Sequence, residues 1–150
     1  MRFVHIRARS LIPAPPERVY AILADYREGH PRILPPRNFV GLEVERGGKG
    51  EGTVIRFRMR VLGRTRSFRA AVSEPRPGRV LVESDPESGT VTTFGVTPAE
   101  GARSSIVTIE TVARVSAGVP GLIERLLTPM LLRPIYEEEL RRLAAVAGEG

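Results

Sequence analysis

The stretch Ile55-Arg56-Phe57-Arg58-Met59-Arg60-Val61 carries an apolar side chain at every odd position and an arginine at every even one. Successive side chains of a strand point to opposite faces, so this pattern describes one dry face and one wet face. Gly63-Arg64 reads as a turn, after which Arg66, Phe68, Ala70 and Val72 continue the alternation on a second strand. A tight turn there sets Met59 opposite Phe68 and Ile55 opposite Val72. Upstream, Val40, Leu42 and Val44 alternate with Glu43 and Glu45. A tight turn at Gly48-Lys49 sets Ile55 opposite Leu42 and Phe57 opposite Val40. The apolar sets then share one face, as a sheet buried on one side requires.

Toward the N-terminus, Phe3 to Ile12 alternates with Val4, Ile6 and Ala8 against His5, Arg7 and Arg9, a half-buried strand. Pro13-Ala14-Pro15-Pro16 stops it and opens a helix over Glu17 to Asp25, with Val19, Ile22 and Leu23 on one side. A second short helix or turn covers Tyr26 to Ile33. Toward the C-terminus, strands are predicted at Val80–Ser84, Thr90–Val96 and Ser104–Val115. In the first of these, Leu81/Glu83 and Val80/Val82 are both plausible inward sets. Across the last turn Phe94 pairs with Val107 and Thr92 with Ile109.

After Gly118-Val119-Pro120 the period becomes helical. Leu122, Leu126, Met130, Ile135, Leu140, Leu143 and Ala144 form a stripe, with Glu137-Glu138-Glu139 and Arg141-Arg142 on the wet side. Pro129 and Pro134 each remove a helical hydrogen bond, which predicts a break or bend over Thr128–Pro134. The fold class is therefore α+β. A curved antiparallel sheet of seven strands grips a long C-terminal helix, two short helices lie between strands 1 and 2, and a single domain spans 1–150.

Composition narrows the chemistry. The chain has 150 residues, 41% of them hydrophobic and 27% charged, with no cysteine and two histidines, His5 and His30. Disulfides, thiolate metal sites and cysteine nucleophiles are excluded, and the two histidines are too far apart to build a metal site. No metal and no cofactor are expected. The net charge is +6, yet Lys49 is the only lysine. The arginine ladder Arg56, Arg58, Arg60, with Arg69 opposite Arg58, reads as a solvated convex face neutralised by Glu43 and Glu45 rather than as a nucleic-acid footprint. Arg7, Arg9 and Glu110 read the same way, since the first and last strands should be neighbours. No transmembrane segment and no signal peptide are evident, so a cytoplasmic location is expected.

The segment Ile12-Pro13-Ala14-Pro15-Pro16-Glu17-Arg18-Val19-Tyr20-Ala21-Ile22-Leu23-Ala24-Asp25-Tyr26 resembles the opening signature of the START/polyketide-cyclase (SRPBCC) superfamily. The glycine-rich turn, the Pro98 to Gly101 hairpin and the closing helix fall where that superfamily has them. The resemblance implies the helix-grip fold of the major birch-pollen allergen and a pocket between the sheet and the C-terminal helix. Its members bind lipids, sterols, quinones, polyketides and plant hormones, so it is specific for fold and not for activity. Many relatives carry a tryptophan after the first helices. This chain has none and offers His30-Pro31 and Leu34-Pro35-Pro36 there.

On that fold Val40, Leu42, Ile55, Phe57, Met59, Phe68, Ala70, Val72, Phe94, Val107 and Ile109 face the pocket. Arg66 has inward parity near a strand end and Thr92 and Thr111 point inward, while Tyr20, Tyr26 and Tyr136 border the mouth. The candidate ligand contacts are Phe57, Met59, Arg66, Phe68, Thr92, Phe94, Ile109, Thr111 and Tyr136. His30 is the one candidate general base, and the sequence shows no partner for it. The leading reading is binding or carriage of a small lipid-, quinone- or polyketide-like molecule. The alternatives are a cyclase/aromatase or dehydratase working without metal or nucleotide cofactor, and a protein-interaction module. A homodimer or a protein partner stays open.

Overall fold

Strands with one apolar edge pair side by side until their shared dry face is covered. In the computed structural model, which describes residues 2–149, the chain runs β1 (Phe3–Ile12), α1 (Pro16–Ala24), α2 (His30–Ile33), β2 (Phe39–Arg46), β3 (Val54–Val61), β4 (Arg64–Arg76), β5 (Val80–Asp85), β6 (Thr90–Ala99), β7 (Ser104–Arg114) and α3 (Gly118–Ala147). The seven strands form one antiparallel sheet in the order β1-β7-β6-β5-β4-β3-β2. β1 and β7 are neighbours, with Arg7 beside Glu110 on the outer face. The core lies between α3, α1 and the β1/β7/β6 side, where Ile6, Ile12, Val19, Leu23, Val96, Val107, Ile109 and Leu143 are fully buried. No helix among the described residues is long and apolar enough to cross a membrane.

Three hairpins pair two residues away from the tight-turn register. In β3–β4, Phe57 stands opposite Phe68, Met59 opposite Arg66 and Ile55 opposite Ala70. The turn centres on Leu62-Gly63, with φ of 52° and 75°, a pair that matches the twist of the flanking strands. Arg69 therefore faces Arg56, and Arg58 faces Ser67. In β2–β3, Leu42 stands opposite Phe57 and Val44 opposite Ile55. Here the glycines form a longer loop that bonds to the end of α1. The Tyr26 N–H donates to the Gly48 carbonyl (2.8 Å) and the Gly50 N–H to the Ala24 carbonyl (2.9 Å). In β6–β7, Phe94 pairs with Ile109 and Thr92 with Thr111, because the loop between Ala99 and Ser104 is wider than a two-residue turn. A slip of two leaves every side chain on its original face, so the face assignments survive.

One does not. A bulge between Phe39 and Leu42, where Gly41 has φ 77°, turns Phe39 inward in place of Val40. β5 also resolves: Leu81 is fully buried, and Glu83 and Asp85 share its face.

The terminal helix is continuous from Gly118 to Ala147, so of the expected break or bend over Thr128–Pro134 no break is present. Pro129 and Pro134 leave the carbonyls of Arg125 and Met130 without helical donors, and both of those residues are exposed to water. The apolar stripe is buried only in its C-terminal half, at Ile135, Leu140 and Leu143, whereas Leu122, Leu126 and Met130 are exposed. Glu139, expected on the wet side with Glu137 and Glu138, is 3% exposed.

The inward setting of β5 is testable by a pair of variants. Leu81→Ala is expected to cost about 2–5 kcal/mol in urea unfolding, whereas Val82→Ala, on the opposite face, costs roughly 1 kcal/mol or less. Equal losses would contradict this facing.

Candidate functional site

The concave face is not fully covered. Between its β2–β4 side and the first half of α3 lies a cavity of about 900 Å³, its open mouth included. The register explains the walls. Pairing Phe57 with Phe68 stacks their rings at 5.3 Å, and the bulge brings the Phe39 ring to 6.1 Å from Phe57. Leu42, Ile55 and Met59 complete this apolar part. The Arg66 guanidinium lies 5.3 Å from the Phe68 ring centre on the exposed rim, and Glu124 and Thr128 line the opposite side from α3.

The inner end is polar. The hydroxyl of fully buried Tyr26 donates to Glu83 Oε2 at 2.6 Å. The His30 ring stacks on Tyr26 at 4.5 Å and meets the Phe94 ring edge-on at 5.3 Å. His30 Nδ1 is 2.7 Å from the Leu23 carbonyl, which only accepts, so Nδ1 carries hydrogen and Nε2 is the variable nitrogen. Nε2 lies 3.7 Å from Glu83 Oε2. Thr92 Oγ1 is 2.8 Å from Thr111 Oγ1, which is 2.6 Å from the Tyr136 hydroxyl. Three hydroxyls joined by two bonds leave one O–H free to donate.

Glu139 closes this end from α3. No described residue hydrogen-bonds its carboxyl, while every fully enclosed polar side-chain atom has a partner, so the carboxyl opens on the cavity. Burial, reinforced by the charge of Glu83, holds the Glu139 carboxyl well above the usual carboxylate range. Burial and then Glu83 likewise push the Tyr26 phenol upward, and burial does so for Tyr136.

Of the nine expected ligand contacts, Phe57, Met59, Arg66, Phe68, Thr92, Phe94, Thr111 and Tyr136 line the cavity. Ile109 does not; it is packed in the core, as are Ala70, Val72 and Val107. Tyr20 lies outside the lining and donates to Glu74 at 2.7 Å. His30 gains in Glu83 the neighbour that the sequence did not show. Glu83, Glu139 and Leu34 were missed as lining residues. The signal for Glu139 was present, since it sits four residues after Ile135 and four before Leu143 on the buried stripe.

A family model for polyketide cyclase/dehydrase and lipid transport proteins matches residues 4–148. Among solved structures, the KanY protein is 31% identical, with a TM-score of 0.85 over 99% of this chain and 100% of that one. The Zhui aromatase/cyclase from Streptomyces sp. R1128 is 17% identical, with a TM-score of 0.75 over 97% and 94%. A START superfamily protein from Mycobacterium smegmatis is 17% identical, with a TM-score of 0.70 over 95% and 96%. No curated protein matches.

The raised Glu139 carboxyl links stability to pH. The folded chain holds a proton that the unfolded chain releases above 4.5, the ordinary value, so stability falls as pH climbs from there toward the folded value. Glu139→Gln should remove this loss. Its melting temperature should exceed the parent's by a margin that widens as pH rises above about 5, by roughly 2–4 °C for each 1 kcal/mol recovered. A margin that does not change with pH would refute the assignment.

Proposed function

Since the chain belongs to the polyketide cyclase/dehydrase and lipid transport family, within the START superfamily, we propose that it binds and carries a small, ring-bearing hydrophobic molecule in this cavity. The observation that carries the reading is an unfilled apolar chamber walled by Phe39, Phe57 and Phe68, with polar groups gathered at its rim and inner end. Ligand sites combine apolar walls with a few oriented polar groups. Aromatic faces left bare to water forgo the burial that stabilises a core, and an apolar guest restores it. Arg66 at the rim orients an anionic or strongly polar outer end of such a guest.

A cyclase or dehydratase reading stands second, and one arrangement favours it. His30 Nε2 faces Glu83 across 3.7 Å, and Glu83 also takes the Tyr26 hydrogen bond. A buried acid, a carboxylate and an imidazole around one apolar chamber are suited to moving protons on a bound carbonyl compound. Conversion of a poly-β-ketone by the parent, lost in Glu83→Gln without loss of binding, would promote this reading over carriage.

The binding reading is tested with a fluorescent apolar probe. Phe57→Ala is expected to weaken its binding by about tenfold, the ~1.4 kcal/mol of a partly buried ring, and Phe68→Ala to do the same. Phe3→Ala, on an exposed strand end, should leave it unchanged. Failure of the parent to bind the probe, with no small molecule released on denaturing the purified protein, would overturn it.

A further inference from the structure

We propose that the inner end of the cavity receives a cationic amine, so that the ligand is an apolar body bearing a protonated nitrogen seated between Glu83 and Glu139. This deepens the proposed binding function and rests on it. Two carboxyl groups reach this end from opposite walls, Glu83 from β5 and Glu139 from α3. Glu83 Oε2 accepts the Tyr26 hydroxyl. Glu139, 3% exposed, has no hydrogen-bond partner among the described residues and opens on the cavity. Once Glu139 is ionised the end has a surplus of acceptors, which a guest must fill with donors.

Charge selects the kind of donor. Among the described residues, His30 is the only group at this end able to carry a positive charge, and its Nδ1 is already engaged by the Leu23 carbonyl. The arginines of the lining, Arg66 and Arg114, are exposed at the rim, where Glu124 also lies. An anionic head is repelled by Glu83, and an alcohol offers a single donor. An ammonium offers three donors and a charge that two carboxylates offset as it leaves water. Docking an ammonium favours the ionised form of Glu139, so its proton is released to solvent. Tyr136 and His30 face the same space, and Tyr26 backs it through Glu83. A nearby cation also favours an ionised phenol and a neutral imidazole, but burial pushes both phenols far up, which leaves Glu139 as the acid that gives up its proton.

The test uses naphthylethylamine and naphthylethanol, which share a ring system and differ in the polar head. With the parent protein, calorimetric titration should show the amine binding roughly tenfold or more tightly than the alcohol. Runs in buffers of different protonation enthalpy should show net proton release with the amine alone. Glu139→Gln and Glu83→Gln, checked for folding by circular dichroism, should bring amine affinity close to that of the alcohol and leave alcohol affinity unchanged. An amine that binds no better than the alcohol, or a preference that survives in both folded variants, overturns the inference while the pocket reading stands. If neither probe binds the parent, the pocket reading falls and the inference with it.

Discussion

The concave face of a curved seven-stranded sheet is wider than one helix can cover, and most of this molecule follows from that mismatch. α3 lies along β1 and seals the β1/β7/β6 side with Ile135, Leu140 and Leu143. Across the remaining width no helix packs down on the apolar residues of β2, β3 and β4, and the first half of α3 faces them across the cavity. Closer packing there would need a second long helix or a flatter sheet, and neither the chain order nor the strand twist supplies one. The cavity is thus a consequence of the architecture, while the side chains that line it are a matter of sequence.

The glycine loop between β2 and β3 is part of the same solution. By bonding its backbone to Ala24 and Tyr26 it ties the outer edge of the sheet to the end of α1. Tyr26 and His30 are thereby held over Glu83, which lies on a central strand. An acid at that depth is tolerable only with donors at hand, and the Tyr26 hydroxyl provides one. Glu139 has no such donor, and the fold accommodates it by favouring its neutral form. The outer face follows opposite rules. There Glu45 pairs with Arg56 at 3.0 Å and Arg69 at 2.7 Å in water, where such pairs contribute little to stability and serve mainly to spread a dense arginine surface.

The exposed half of α3 adds a feature of different character. Val119, Leu122, Ile123, Leu126, Leu127 and Met130 all face water on the same half-helix that carries Glu124 and Thr128 into the mouth. The helix therefore changes role along its length. Its C-terminal turns form core, and its N-terminal turns form an exposed border of the cavity.

Most of the fold was legible in the chain because its signals are periodic. Period-two alternation in Ile55–Val61 and its partners determined the strands and their faces, and the change of period after Pro120 determined the long helix. The proline-rich Ile12–Tyr26 segment pointed to the superfamily. Because the face of a residue depends only on parity, the strand walls at Leu42, Ile55, Phe57, Met59, Phe68, Thr92, Phe94 and Thr111 were readable even where the partners were two residues off. Register was not readable, because it depends on loop geometry: the left-handed Leu62-Gly63 pair, the bonding of the glycine loop to α1 and the bulge at Gly41. The acidic inner end was likewise decided only by tertiary structure. Glu139 looks like one of three solvated acids until α3 is docked, and Glu83 has two possible facings until β5 is paired. His30 acquires its neighbour only when α2 is laid over β5, since a contact across 53 positions of chain leaves no local trace.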